Sequence, residues 1–412
     1  MKKNRIVIDD IIINRNRIDY SYTVTGEWKK CFNLNEKFYI EYGLDLASLP
    51  KSIAVVPLLA NLLPIAWIYD AEIVSPVCDK AFYDSIPNFK KGYVEMYPMM
   101  EFKGNLCVNE IQENHPGDEG GSAAFFSGGV DAFNTLVCHA NEHPTLLTIW
   151  GADVKFEDTE GWNKVHNHLS ETCRNFNVDS VVIKSCFRRF LDEWELEQRV
   201  APSGDGWWHG FQHGIGIISH AAPVAYLLKK KSVYIASSFT LLDKGQVSCA
   251  SDPTIDNFVK FGDTEVIHDG YEFDRSMKIH NISTFHNNTG IDIQLRVCWE
   301  STGGSNCCNC EKCWRTIIGL YAENQDPKKY GFDYEDFHSL CHKIYQNRHL
   351  LHTRFQSRWE PIQKKLHQNY TLKNIEPSLK WLYKVNVSKF GKESKIINIL
   401  KRIKRKIYRI IN

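Results

Sequence analysis

The stretch Ala123-Ala-Phe-Phe-Ser-Gly-Gly-Val-Asp-Ala-Phe-Asn-Thr-Leu136 decides the reading of this chain. An apolar run ends at Phe126, two glycines permit a tight turn, and a helical pattern begins near Val130, so the segment reads as strand, loop and helix. Backbone N–H groups and the positive end of the helix then converge on one point, which suits an anion. Gly128 and Gly129 let the backbone approach a phosphate closely, Ser127 offers a hydroxyl, and Asp131 in the first helical turn can hold a phosphate-bound Mg²⁺. No Gly-Lys-Ser/Thr follows at the required spacing, so this is not a Walker loop. The competing reading of so short a motif is an ordinary strand-to-helix turn.

The same rhythm continues downstream. Ser122 to Phe126, Thr145 to Trp150, Ser180 to Lys184, Ser232 to Ser237 and Glu265 to His268 read as strands, with helices starting near Val130, Thr159, Phe211, Thr254 and Asp274. Alternation at this spacing predicts βαβ units and an α/β fold with a mainly parallel, doubly wound sheet. Upstream, Lys37 to Tyr42 reads as a strand. The long uncharged run Ser52 to Tyr69 holds Pro57, Asn61 and Pro64; it reads as a buried strand and helix, since two prolines would break a lone lipid-facing helix. The polar, Gly-rich stretch 113–121 marks a boundary. The expected division is an N-terminal accessory α+β region (1–115), a nucleotide-binding domain (116–330), a helical C-terminal region (331–394) and a basic tail (395–412).

Five of the 13 cysteines crowd into Arg296-Val-Cys-Trp-Glu-Ser-Thr-Gly-Gly-Ser-Asn-Cys-Cys-Asn-Cys-Glu-Lys-Cys-Trp-Arg-Thr316. Taken as Cys298, Cys307, Cys310 and Cys313, they supply the four thiolates of a closed tetrahedral zinc site, structural rather than hydrolytic. Cys308 is an alternative to Cys307, and an iron–sulfur cluster is the rival occupant. The scattered remainder reads as buried thiols in a reducing cytoplasm.

The loop resembles the SGGxDS motif of the PP-loop ATP pyrophosphatases, in the adenine-nucleotide α-hydrolase-like superfamily. The cysteine spacing, and its distance from the loop, is similar to that of the 7-cyano-7-deazaguanine synthases within it. The resemblance covers roughly residues 118 to 325. It implies ATP and Mg²⁺ at Ser127, Gly128, Gly129, Val130 and Asp131, Zn²⁺ at the cysteines, and adenylation of a small-molecule carboxylate or carbonyl, with release of pyrophosphate, before attack by a nitrogen donor. Ala132 departs from the pattern, standing where Ser or Thr is usual. One phosphate contact of about 0.5–1.5 kcal/mol is then missing, which keeps a non-catalytic nucleotide-binding scaffold in view. A tRNA-modifying thiolase is the other alternative; it would need a sulfur-relaying Cys186 or Cys308.

Several further residues could complete such a site. Arg275 and Lys278, one helical turn apart, could neutralise departing pyrophosphate alongside Asp131, with Arg315 a third cation; a solvated helix face explains them as well. His209 and His213, in Trp207-Trp-His-Gly-Phe-Gln-His213, could contact an anion or move protons. Ser251 or Asp252 falls near a helix start. Arg188 and Arg189 follow the third strand of the alternating series, at an edge where open α/β sheets bind ligands.

With 50 Lys+Arg against 49 Asp+Glu and 43% hydrophobic residues, the 412-residue chain is neither collagenous, disordered nor wholly membrane-embedded. Its net charge of +1 conceals an asymmetry. Lys395, Lys401, Arg402, Lys404, Arg405, Lys406 and Arg409 lie in a tail without acids. Apolar residues at 396, 399, 400, 403, 407, 410 and 411 form one helical stripe there. Removing those seven charges from the net +1 leaves −6 on residues 1–394. A basic amphipathic tail fits an anionic membrane surface, whereas an acidic body argues against nucleic acid as a partner. The N-terminus shows no secretion signal, because Asp9 and Asp10 interrupt any apolar core. The expected location is cytoplasmic, with peripheral association at the inner membrane through the tail.

Overall fold

The structure is a computed structural model and describes residues 3–33, 35–298, 304–348 and 356–387. The basic tail lies outside the described residues. Two compact units are formed: the first runs through Glu272, and the second begins at Phe273 and carries the cysteine cluster. This division falls elsewhere than the boundaries drawn from the sequence at 115 and 330.

The first unit is built on one eleven-stranded sheet. Its strands are β1 (Arg5–Ile13), β2 (Arg17–Thr25), β3 (Tyr39–Tyr42), β4 (Glu72–Asp79), β5 (Asn105–Gln112), β6 (Ser122–Phe125), β7 (Thr145–Trp150), β8 (Ser180–Ser185), β9 (Ser232–Ala236), β10 (Lys260–Phe261) and β11 (Thr264–Asp269). They lie in the order β10-β11-β9-β6-β7-β8-β3-β2-β1-β4-β5. The block β11-β9-β6-β7-β8 is parallel throughout. The chain winds outward from β6 through β7 to β8, then returns to lay β9 on the other side of β6. The winding reverses between β6 and β9, and at such a reversal the loops leaving the carboxyl ends of two neighbouring strands diverge and open a crevice.

The five strands expected from the alternation are all present, within a residue or two of their read limits. The N-terminal stretch is not an appendage to them. Strand β3 pairs antiparallel with β8, Ile40 opposite Ser185, so residues 5–112 extend the same sheet. Both Ile40 and Ser185 are buried, and the pairing covers an edge of β8 that would otherwise leave backbone donors and acceptors unmet.

Eight described helices complete the first unit: α1 (Lys51–Ala54), α2 (Val56–Tyr69), α3 (Lys80–Met96), α4 (Val130–Cys138), α5 (Thr159–Phe176), α6 (Glu193–Val200), α7 (His213–Ile218), α8 (Ala221–Leu227), with a short ninth, α9 (Pro253–Asp256), after β9. The uncharged run read as strand and helix forms two helices, α1 and α2, joined by a turn at Val55, and every residue of α2 is buried. It tolerates Pro64 because it packs on β4, β5 and α7, so tertiary contacts offset the lost ladder bond. Among the described residues no helix is long and apolar enough to cross a membrane.

The second unit is helical: α10 (Arg275–Thr289), α11 (Glu311–Ala322), α12 (Phe337–Gln346), α13 (Gln356–Asn369) and α14 (Lys380–Lys384). Helix α11 packs against both α10 and α13.

Candidate functional site

Three constellations carry chemistry. The first is the loop between β6 and α4. Gly128 has φ +77°, the left-handed region in which a side chain is strained, so the sharp turn there calls for glycine. Helix α4 starts at Val130 with Gly129 at its N-cap, a residue that brings no capping side chain, and its first N–H groups face the loop. The Gly129 N–H donates weakly to Ser127 Oγ (3.4 Å). Ser127 is exposed, Asp131 half-buried, and Val130 and Ala132 buried. Farther along the helix, Thr135 Oγ1 donates to Asp269 Oδ2 (2.5 Å), and His139 Nε2 lies 2.9 Å from Asp269 Oδ1. These bonds fix α4 to the end of β11. Ser127, Gly128, Gly129, Val130 and Asp131 are thus contiguous at the carboxyl end of β6, beside the reversal in winding.

The second constellation surrounds a thiol that the sequence reading passed over. The segment after α6 makes a π turn over Trp208–Gln212, in which the His213 N–H reaches the Trp208 carbonyl. Such turns arise where one extra residue is forced into a helix, and they recur at functional sites. Buried Gln212 anchors the turn: its Nε2 donates to Asn61 Oδ1 (2.9 Å) and the Phe187 carbonyl (3.0 Å), and its Oε1 accepts from Trp207 Nε1 (3.1 Å). Against it lies the loop leaving β9, whose Ala250 N–H donates to the His209 carbonyl (2.8 Å). This approach needs glycine. A Cβ on Gly214 would sit 2.3 Å from the Ala250 carbonyl oxygen, and one on Gly210 would sit 2.5 Å from Tyr97 Oη.

The result places Cys249 Sγ 3.7 Å from His213 Nδ1, with His209 near enough to act on its charge. His209 Nδ1 is 3.0 Å from Asp205 Oδ1, and Asp205 Oδ2 accepts from Tyr97 Oη (3.0 Å) and Ser248 Oγ (2.8 Å). The electrostatics follow. Burial pushes the Cys249 thiol up, but hydrogen bonds from His209 and His213, together with their charges, outweigh it and bring the thiol down to about 7. His209 is pushed up to about 10 by its bond to Asp205 and then by Cys249, against burial. His213 is also raised, its burial outweighed by Cys249, with Asp153 and Asp256 adding smaller contributions. His209 and His213, weighed in the sequence as anion contacts or proton carriers, are therefore brought onto one thiol. Only the fold reveals this, because Cys249 lies 36 residues from His213 in no recognisable motif.

The third constellation is the cysteine knuckle of the second unit. The sulfurs of Cys298, Cys307, Cys310 and Cys313 all lie within 4.8 Å of one another, with Cys298–Cys310 and Cys307–Cys313 at 3.9 Å. A tetrahedron of bonds of about 2.3 Å has an edge of about 3.8 Å, so the group could hold a metal such as zinc. Cys310 caps α11 and Cys313 occupies its first turn, while the Asn309 N–H donates to Cys307 Sγ (3.3 Å). Asn306 fastens the approach, accepting from the Val297 N–H (2.9 Å) and donating to the Leu295 carbonyl (2.7 Å). The structure decides between the neighbouring cysteines: Cys307 belongs to the group. Cys308 turns away with φ +49°, and its carbonyl accepts from Trp314 Nε1 (3.0 Å).

The remaining candidates are dispersed. Arg275 and Lys278 open α10 and are buried, as is Arg315, which lies 3.7 Å from Glu311; they are not a solvated helix face. Arg188 pairs with Glu193 (2.7 Å) and stacks over Trp208, and Arg189 pairs with Glu36 and Glu157. Asp252 caps α9, accepting from the Thr254 N–H (2.9 Å), and Ser251 Oγ donates to Asp256 (2.7 Å). Burial pushes the thiols of Cys186 and Cys308 up to about 12 and about 11. No protein-family model matches this chain, and no curated protein matches it.

Proposed function

We propose that this protein is an ATP-dependent enzyme that adenylates a carboxylate or carbonyl of a small molecule and passes the activated carbon to a nitrogen nucleophile. The observation that carries the reading is the glycine-dependent turn at Gly128, joined to the glycine-capped start of α4 beside the winding reversal of a parallel sheet. On this reading Ser127, Gly128, Gly129 and Val130 cradle the pyrophosphate portion of ATP. Backbone donors fixed in place before reaction stabilise the charge that builds up as pyrophosphate leaves. Asp131 would hold Mg²⁺, which neutralises phosphate charge. The acceptor is a purine analogue or another small carboxylic acid, and zinc at the knuckle has a structural role.

The test is release of AMP and pyrophosphate from ATP with Mg²⁺, with and without ammonia. Asp131→Ala should lower pyrophosphate release at least ~100-fold, the scale on which a lost electrostatic group acts in such sites, while the thermal unfolding curve stays in place. Wild-type rates in that variant would sink the assignment, and tight ATP binding without turnover would leave a nucleotide-binding scaffold.

A further inference from the structure

Beyond the phosphate loop, a gathering of a thiol with titratable groups lies at the same edge of the sheet. Strands β6, β7, β8 and β9 run parallel, so the loops leaving their carboxyl ends share that edge. Cys249 lies in the loop leaving β9, and His209 and His213 in the segment that follows β8. The Phe239 ring, also in the β9 loop, meets His209 at 5.9 Å. We propose that Cys249 is a nucleophile, held between His209 and His213, that takes up an activated acyl group as a thioester before its transfer to nitrogen. The identity of the acyl donor rests on the adenylation reading; the nucleophilicity of the thiol does not.

The arrangement is costly for a merely structural thiol. It uses a π turn, two glycines whose replacement would collide with opposing groups, and an Asp205 carboxylate bonded to His209, Ser248 and Tyr97. Asp256, fully buried, accepts at Oδ2 from Ser251 Oγ (2.7 Å), with His268 Nδ1 2.8 Å from the same oxygen, while its Oδ1 has no hydrogen-bond partner and lies against Gly214, next to His213. The charged or titratable groups facing the thiol are therefore His209 backed by Asp205, and His213 with Asp153 and Asp256 behind it. A carboxylate behind an imidazole fixes its tautomer and favours its protonated form, which is how a neighbouring thiol becomes a thiolate. A preformed metal site fits less well: among the described residues, the four knuckle cysteines are the group of three or more ligating side chains whose donor atoms gather within 4.8 Å.

The chemistry balances. The Cys249 sulfur attacks the acyl carbon, the S–C bond forms, and the C–O bond breaks with its electron pair leaving on the phosphate ester. With its anion consumed, the imidazolium of His213 releases a proton to solvent, which its partial exposure permits. The nitrogen nucleophile then attacks the thioester carbon, the N–C bond forms, and the S–C bond breaks to restore the thiolate. The proton lost by nitrogen returns to His213, and the ion pair is regenerated.

The test uses the full, zinc-loaded chain and two small electrophiles. Iodoacetamide is applied from pH 5.5 to 9.5 and the modified cysteines are located by peptide mass mapping. Cys249 should react with a midpoint near 7; at pH 6 its thiolate fraction is roughly 30-fold that of an ordinary thiol of pKa about 8.5, worth roughly 5- to 8-fold in rate once the weaker nucleophilicity of a low-pKa thiolate is counted. His213→Gln should move that midpoint upward. If that variant does not fold, His209→Gln, at a side chain that reaches solvent, serves the same purpose. p-Nitrophenyl acetate should leave an acetyl group on Cys249 that hydroxylamine removes. A Cys249 that is inert in the native state, that titrates like an ordinary thiol, or that never carries acetyl overturns the proposal. None of these readouts needs ATP. A reactive Cys249 in a protein that releases no pyrophosphate would sink the adenylation reading alone, and pyrophosphate release with an inert Cys249 would sink this proposal alone.

Discussion

Cys310 in the knuckle and Cys249 beside the π turn are both buried and both are held below the ordinary thiol range, Cys249 at about 7, for different reasons. Cys310 is lowered first by a hydrogen bond from Cys313 and then by its other sulfur neighbours, while burial pushes Cys307 up to about 11. One sulfur takes the negative charge because the others solvate it, an arrangement completed by a cation that neutralises all four. Cys249 is lowered by imidazoles instead of sulfurs: His209 and His213, which are themselves driven toward the charged form, His209 by Asp205. A cation of the protein already balances it. The first environment is suited to a metal and the second to a nucleophile, and the difference lies in what surrounds the sulfur rather than in how deeply it is buried.

The most severe way to break this contrast is Cys310→Ser. Metal analysis of the wild type should find one zinc per chain, and the variant should bind none. It should forfeit a large share of the roughly 10–16 kcal/mol that a structural zinc lends to folding, read as a lowered thermal transition of the second unit. Iodoacetamide labelling of Cys249 should be unchanged, since that site lies in the first unit. A metal-free, fully stable wild type would refute the knuckle.

His220 sharpens the contrast from the side of the imidazoles. It is fully buried without a carboxylate, its Nδ1–H donating to the Gly216 carbonyl (2.7 Å) and its Nε2 accepting from Ser185 Oγ (2.7 Å). Burial drives it down to about 4, whereas Asp205 drives His209 up. A histidine with a folded-state pKa below its unfolded value of about 6.5 contributes stability that is present above pH 6.5 and lost as pH falls toward 4, in all about 3 kcal/mol. His220→Asn should therefore be less stable than wild type in urea at pH 7, and the gap should shrink by about that amount at pH 4. A gap independent of pH would mean that His220 is not held neutral by the fold.

The gentlest perturbation is Gly214→Ala. The added methyl would meet the Ala250 carbonyl and the Asp256 carboxylate, so the β9 loop must shift at a cost of about 1–3 kcal/mol. The Cys249 midpoint should rise as the loop withdraws from the two histidines, with the knuckle and its zinc untouched. Destabilisation without any change in the Cys249 midpoint would show that the loop's position does not set the thiol's chemistry.

Much of the parallel block was legible in the sequence because each strand and helix there is signalled locally: an apolar run, a glycine or polar stop, then a helical period. The loop at Ser127 and the four ligating cysteines were legible for the same reason, being motifs of neighbouring residues. The role of the N-terminal stretch was not, since pairing of β3 with β8 joins residues almost 150 positions apart and leaves no local trace. Nor was the burial of Arg275, Lys278 and Arg315, which helical periodicity permits on either face. The choice of Cys307 over Cys308 needed the left-handed turn at Cys308.

By itself the sequence determined the α/β class, the strand–loop–helix at Gly128 and the clustering of the knuckle cysteines, because each follows from spacing over a few residues. The tertiary structure alone decided that the N-terminal strands extend one sheet and that Cys249 stands between two histidines backed by acids. Those features depend on close approach of segments far apart in the chain, made by pairing an open strand edge in one case and by omitting side chains at Gly210 and Gly214 in the other.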